Sequence, residues 1–594
     1  MGMLDRLKAL GFKESFAKKL YKKYKEDAWD MVNETPYRLL EEFPNLDFAE
    51  LEKLLYLTET EPSDYKKIRL GILFMLRKLT SDGSTCYPLE SLMEETGGIL
   101  NLDIESILHE IYEMEKDHLV VVYGDEEKRI FLEDVYRAER KVANTLLSLS
   151  KDKVKPIVYS ISGLLEKLQR DQSIVFSENQ LDTINSVLNH NVSVITGGPG
   201  TGKTTIIKGV MGILYFSGER TAICAPTGRA AKRIKEATGY NAVTIHRLLE
   251  AELADDGFTV YFRRNQNNPL ELDAIIIDEG SMLDVRLMAC LMDAVKKGTR
   301  IIIAGDKNQL PPVGAGNVLK DIIKSDTIPC YYLTQIYRQE KESKIVYNAH
   351  MIQEGTVPKD GGSDSDFLIY ETKNHKELEK VIYDLIEQNE EYIIDSLKYQ
   401  VITMTKKGPF GTVALNEKLQ EKLNPMGETK KQLMEGDKIF REGDKVMQIK
   451  NNYGLKYRSF EDLTEGQGIF NGEIGIIKAV DPDRLTLDVL FSDTYYVVYE
   501  GDDLGQLELA YAITVHKSQG SEFGTIIMPL IYASKNLMTR NLIYTALTRA
   551  KDKAILVGSL KALEEMVENT REDNRNTCLS VMLQGGEDED SGAP

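Results

Sequence analysis

The chain is poor in the features that would settle its class at a glance. One tryptophan and five cysteines are spread over 594 residues, with no C-x-x-C pair and no histidine at metal-ligand spacing. Cys86, Cys224, Cys290, Cys330 and Cys578 therefore read as reduced core residues of a cytoplasmic protein, not as disulfides or a zinc or iron–sulfur site. No apolar run approaches the ~20 residues of a membrane span, so no membrane partner is expected. The opening Met1-Gly2-Met3-Leu4-Asp5 lacks the charged-then-apolar layout of a secretion signal. Positive charge is also scarce: 74 Lys and Arg against 94 Asp and Glu leave a net charge of −20. That balance speaks to solubility and does not exclude a polyanionic partner, because phosphate contacts depend on local patches. Eight basic residues and one acid lie between Arg6 and Lys25, whereas acids gather in 583–594, expected as a disordered tail.

What is present is a phosphate-binding loop. Gly197-Gly198-Pro199-Gly200-Thr201-Gly202-Lys203-Thr204 fits G-x-x-x-x-G-K-[ST] in full. An apolar run, Val192–Ile195, precedes it as a buried strand, and Thr205–Tyr215 follows as a helix. This setting turns backbone N–H groups and a helix N-terminus toward a polyphosphate. The nucleotide-binding set is thus Gly198, Pro199, Gly200, Thr201, Gly202, Lys203, Thr204 and Thr205. Lys203 is placed to reach the β- and γ-phosphates of ATP, and the Thr204 hydroxyl to hold Mg²⁺. Ile275-Ile276-Ile277 then delivers Asp278 and Glu279 to the carboxyl edge of the same sheet, Asp278 for the Mg²⁺ shell and Glu279 as general base toward water. The following strand ends in Gly305-Asp306-Lys307-Asn308-Gln309, and Gln309 can hydrogen-bond both γ-phosphate and water.

Strands Val192–Ile195, Ala222–Cys224, Ala274–Ile277 and Ile301–Ala304 are almost wholly apolar, as in parallel sheets covered on both faces. A second α/β pattern has strands at Tyr399–Thr403, Thr525–Met528 and Ala554–Val557. Short alternating strands and Gly turns between about 430 and 505 interrupt it as a small β-barrel. Ahead of the ATPase, three helices and a hairpin (Leu119–Tyr123, Arg129–Leu132) outline a winged helix.

Taken together these motifs resemble those of a superfamily 1 helicase of the RecD type, in its stand-alone long form. The fold implied is α/β: two RecA-like parallel-sheet motor domains, an SH3-like β-barrel insertion and an all-α/winged-helix N-terminal region. The expected organisation is 1–62 helix-hairpin-helix-like, with its second turn at Pro44–Asp47, and 63–150 winged-helix-like. Then come 151–340 as motor 1, 341–582 as motor 2 with the barrel at about 430–505, and 583–594 as tail. By the same resemblance Gln180 reads the adenine edge. Pro226 and Thr227, in Ala225–Ala231, and His246 and Arg247, in Thr244–Arg247, contact single-stranded DNA. Thr227 and His246 read equally well as structural residues. Thr514 and His516, in the Tyr511–Glu522 run, couple DNA to ATP, and Arg338 and Arg549 are arginine fingers from the second motor. A β-hairpin at about 255–270 resembles the pin that splits duplex. The resemblance implies an ATP- and Mg²⁺-dependent DNA helicase moving 5′→3′ on single-stranded DNA and opening duplex with a 5′ tail. Its alternatives are a nucleotide-gated clamp that grips nucleic acid without unwinding it, an RNA helicase, since phosphate contacts do not distinguish the sugar, and a small-molecule kinase, which needs neither the second RecA-like half nor two domain-crossing arginines.

Overall fold

The computed structural model describes the chain except residues 1, 35–38, 40–42, 44–64, 126, 158, 173, 254–259, 336–342, 363, 389–397, 428–429, 460–464, 492–494, 572–573 and 586–594. The turn at Pro44–Asp47, Arg338 and most of the acidic tail lie outside the described residues. Residues 583–585, assigned to that tail, instead finish a helix, because Leu583 is buried.

Short helices Met3–Ala9, Glu14–Tyr24 and Ala28–Glu34 precede a longer one at Tyr65–Ser81. The winged-helix outline gains a third strand: β1 (Cys86–Pro88) pairs with the outer side of the hairpin β2 (Val120–Tyr123) and β3 (Arg129–Leu132), in the order β1-β3-β2. Helix α1 (Glu133–Lys151) leads away from it.

Motor 1 begins with α2 (Glu178–Leu188), whose start is fixed by a capping box between Ser177 and Gln180. Its sheet is built from β4 (Val192–Gly197), β5 (Thr221–Ala225), β6 (Ala242–Thr244), β9 (Ala274–Ile277), β10 (Arg300–Gly305) and β11 (Cys330–Leu333), all parallel, in the order β11-β4-β10-β9-β5-β6. Helix α3 (Lys203–Phe216) follows β4, and α4 (Gly228–Thr238) follows β5. After β6 a single turn, α5 (Ile245–Leu248), leads into an antiparallel pair, β7 (Ala251–Leu253) and β8 (Val260–Phe262). Helix α6 (Val318–Ser325) lies between β10 and β11. β11 is short and half-exposed, which hides it from a search for apolar runs.

Motor 2 opens with α7 (Lys344–Gln353) and carries a second parallel sheet: β12 (Phe367–Glu371), β13 (Tyr399–Thr403), β23 (Ala512–Thr514), β24 (Phe523–Leu530) and β25 (Ala550–Gly558), ordered β12-β25-β24-β13-β23. The described residues of 432–509 include nine strands, β14 to β22; two form a hairpin and seven an antiparallel sheet around Phe440, Val489, Phe491 and Tyr499. Helices α8 (Val515–Ser518) and α9 (Arg540–Leu547) flank β24. The chain then returns to motor 1, where α10 (Leu579–Gly585) packs against α6 and α1.

Candidate active site and nucleic-acid interface

The phosphate loop leaves the carboxyl end of β4 and turns into α3 through Gly200 (φ +72°) and Gly202 (φ +81°), a backbone that L side chains rarely adopt. Lys203 Nζ donates to the carbonyls of Gly197 (2.5 Å) and Gly198 (2.9 Å), and Thr201 Oγ1 donates to Gly198 O (2.9 Å), so the loop is braced from inside. It faces a cleft of about 1130 Å³ lined on the other wall by Lys344, Glu522, Thr548, Ala550 and Lys551 of motor 2.

Asp278 and Glu279 follow β9, and β10 lies between β9 and β4. The acids are therefore one strand further from the loop than chain order suggests. Burial and then the neighbouring Glu279 push the Asp278 carboxyl up to about 6, against the pull of Arg233 and Lys203. Glu279 is held left-handed (φ 54°, ψ 43°), a conformation that costs a non-glycine residue about 1–3 kcal/mol. Its Oε1 accepts from Arg233 Nη1 (2.9 Å). Gly280 is required by the packing: a Cβ there would stand 2.7 Å from Ile303 Cγ2 and 3.1 Å from Ala304 O. Gln309 is buried, and its Oε1 has no hydrogen-bond partner among the described residues.

These features fit a polyphosphate with a divalent cation. The braced loop, with its lysine tied to carbonyls, lines the cleft, and the buried carboxylate pair and the amide oxygen, unpaired among the described residues, follow β9 and β10 of the same sheet. Gln180 is buried at the start of α2, with Oε1 accepting from Ser177 N (3.0 Å) as the helix cap.

Arg549 is placed differently from its expected role. Its Nε donates to Thr545 O, Nη1 to Ser521 O and Nη2 to Thr548 Oγ1, each at 3.1 Å, so the guanidinium is engaged inside motor 2. Thr548 and Ala550 on either side of it line the cleft.

The residues matched to strand contacts serve local roles first. Thr227 Oγ1 caps α4, and Thr514 Oγ1 caps α8 in the matching position of the second motor. Pro226 is the residue before Thr227, between β5 and α4. A Cβ on Gly520 would meet Thr227 Oγ1 at 2.7 Å, so the motors touch at this point. The His246 ring lies 5.9 Å from Phe262 of β8 and 6.3 Å from Tyr453 of the barrel. Arg247 Nη2 donates to Gln467 O and Gly468 O (3.3 Å each), with its guanidinium 4.9 Å from the Phe470 ring centroid. Burial lowers the pKa of His246 and of His516, the latter with help from Arg575. Of the segment 255–270 expected as a pin, the strand Val260–Phe262 is described; it pairs with Ala251–Leu253, which lies ahead of that segment, and Val260 and Tyr261 are exposed.

The sequence reading missed three cross-cleft partners. Tyr544 OH donates to Asp306 Oδ2 (2.6 Å), and Thr545 Oγ1 accepts from Leu310 N (2.8 Å). Arg233 pairs with Glu522 Oε1 (2.9 Å) as well as with Glu279. The available signal was the four-residue spacing of Arg229 and Arg233, which puts both on one face of α4.

Four family models match the chain in sequence order: an ATP-dependent RecD2 DNA helicase HHH domain over residues 2–86, an AAA domain over 180–315, an ATP-dependent RecD-like DNA helicase SH3 domain over 415–491, and a UvrD-like helicase C-terminal domain over 509–557. The ATP-dependent RecD2 DNA helicase of Deinococcus radiodurans is 32% identical over 589 residues, spanning 97% of this chain and 77% of that one. The RecBCD enzyme subunit RecD of Mycobacterium tuberculosis is 28% identical over 503 residues, spanning 78% of this chain and 82% of its own. The crystal structure of Bacteroides Pif1 bound to ssDNA is 21% identical with a TM-score of 0.39, over 66% of this chain and 94% of that one. With 97% of this chain matched to a RecD2 relative, a RecD2 module ahead of the motors and a RecD-like SH3 module within the second, the chain belongs to the RecD2 family of ATP-dependent DNA helicases.

Proposed function

We propose that this helicase moves 5′→3′ on single-stranded DNA, the direction the RecD-type resemblance implies, and parts a 5′-tailed duplex on the β7–β8 hairpin. The observation that carries this reading is the cleft itself, with the phosphate loop on one wall and Glu522, Thr548 and Lys551 on the other. Lys203 neutralises the β- and γ-phosphates, and Thr204 and Asp278 hold Mg²⁺. Glu279 accepts the proton of the attacking water, and Gln309 Oε1, which has no partner among the described residues, senses the γ-phosphate. On closure Arg338, from the junction between the motors, and Arg549, from motor 2, supply positive charge; for Arg549 this means exchanging its carbonyl partners for phosphate oxygens. Thr227 and Thr514 offer equivalent hydroxyls in the two motors, and each can donate to a phosphate while still accepting as a helix cap. With Pro226, His246, Arg247 and His516 they form a sequence-independent, salt-sensitive grip.

Strand release from 5′-tailed and 3′-tailed duplexes, with ATP and Mg²⁺ present or withheld, tests the direction; equal unwinding of both tails overturns it. Deleting residues 257–268 leaves single-strand-stimulated ATP hydrolysis and removes strand separation. Equal loss of both activities contradicts the pin assignment.

A further inference from the structure

The side chain read as general base is not free in this structure. Glu279 Oε1 accepts from Arg233 Nη1 at 2.9 Å, and the other terminal nitrogen of the same guanidinium stands 2.9 Å from Glu522 Oε1. Glu279 belongs to motor 1 and Glu522 to motor 2, so one cation holds a carboxylate from each wall of the cleft. Lys551 Nζ, 3.2 Å from Glu522 Oε2, fixes the far end. One turn earlier on the same face of α4, Arg229 Nη1 donates to Ser521 Oγ (2.6 Å). Two arginines four residues apart thus reach two consecutive residues of motor 2.

The helix that carries them also carries Thr227 as its cap, lying against Gly520. A displacement of motor 2 along the strand is therefore felt at Ser521 and Glu522, and through Arg233 at Glu279. A carboxylate oxygen that accepts from a guanidinium is turned toward that donor and has one lone pair fewer for water.

We propose that Arg233 is a positioning residue for hydrolysis: it occupies the carboxylate of Glu279 until Glu522, moving with motor 2, draws it away, so that turnover waits for the single strand. The inference rests on Glu279 acting as the base. It requires the guanidinium fork, because a lysine ammonium is a point charge without the paired geometry.

The test is steady-state ATP hydrolysis by the full chain with Mg²⁺, without DNA and with saturating oligo-dT. In Arg233→Gln the DNA-free kcat rises about tenfold, while stimulated kcat and KM for ATP change less than about threefold, so the stimulation ratio collapses. Arg233→Lys shows the same change in smaller measure and serves if the glutamine variant does not fold. Glu522→Gln does the opposite: Arg233 stays on Glu279, stimulated kcat falls about tenfold and the DNA-free rate does not rise. The double variant Arg233→Gln/Glu522→Gln regains the stimulated rate, since no guanidinium is left to draw away. A stimulation ratio within about twofold of the parent in both Arg233 variants, an equal fall of both rates, or a double variant as slow as Glu522→Gln overturns the proposal. Glu279→Gln separates the two readings. If it hydrolyses ATP normally, the base assignment fails; if it is inactive while the Arg233 variants keep the parental ratio, only the present inference fails.

Discussion

Two seams run along motor 1, and they are made of different material. Toward the N-terminal region and α10 the seam is apolar: Val135 and Leu146 of α1, Met288, Leu319 of α6, and Leu579 and Met582 of α10 belong to one continuous buried cluster. Toward motor 2 it is largely polar, built from Tyr544–Asp306, Thr545–Leu310, Arg229–Ser521 and the Arg233 pairs, around a wide cleft. Leu310 is the apolar exception, buried in the core of motor 2 one residue after Gln309. A dry seam loses its full burial energy when it parts, whereas polar partners on a wet cleft exchange one another for water at small net cost. The difference divides the molecule into an N-terminal region, motor 1 and α10 that move as one body, and a motor 2 able to shift against it.

Three substitutions sharpen or break that contrast. The largest effect falls on the cleft. Lys203→Ala lowers DNA-stimulated kcat by roughly 10²–10³-fold or more, as loss of a preorganised charge at a reacting oxygen does. Single-strand affinity in filter binding and the melting temperature stay near parental values, and near-normal hydrolysis would refute the site. Next comes the apolar seam. Leu579 is fully buried, and Leu579→Ala costs about 2–5 kcal/mol in denaturant unfolding. ATP hydrolysis at 25 °C is spared; a loss of kcat without a loss of stability would mean that this seam also works in the cycle.

The third substitution probes a polar flaw within the dry seam. Burial pushes the Asp321 carboxyl up to about 7; Thr577 Oγ1 donates to its Oδ1 (2.9 Å), and Oδ2 has no partner among the described residues. The neighbouring Glu139 is raised too, by burial and then by Asp321. The folded state thus binds the Asp321 proton more tightly than the unfolded chain. Its stabilising share is complete below the ordinary aspartate range and is lost as pH rises through about 7. Asp321→Asn should therefore be about 4 kcal/mol more stable than the parent at pH 8 and close to it near pH 4. An identical pH profile in the two proteins, read by thermal melting, counts against the buried ionisation.

The contrast between seams also explains what the sequence disclosed. The phosphate loop and the strand delivering Asp278 and Glu279 are each one unbroken stretch of chain, and the apolar-run-then-polar-end pattern of each is read directly. Strand order is not: β10 intervenes between β4 and β9 because of crossovers that leave no local mark. The pairs across the cleft were out of reach for another reason. Arg229 and Ser521 are 292 residues apart, and nothing in the neighbourhood of either names its partner. His246 and Arg247 show the same limit: their ring and charge are engaged with Phe262 of β8 and with Tyr453 and Phe470 of the barrel, about two hundred residues away, and no local pattern announces it.

The segment ahead of α10 gives the polar seam its mechanical limit. Arg575 donates to the carbonyls of Pro312, Gly314 and Gly316, and Thr85 N donates to Asn576 O, so the end of the second motor's chain is fastened to the opposite body. Polypeptide therefore crosses between the lobes twice, once after β11 and again before Arg575. A body attached at two points keeps rotation about the line joining them as its softest motion, much as a door hung on two pins swings but does not lift away.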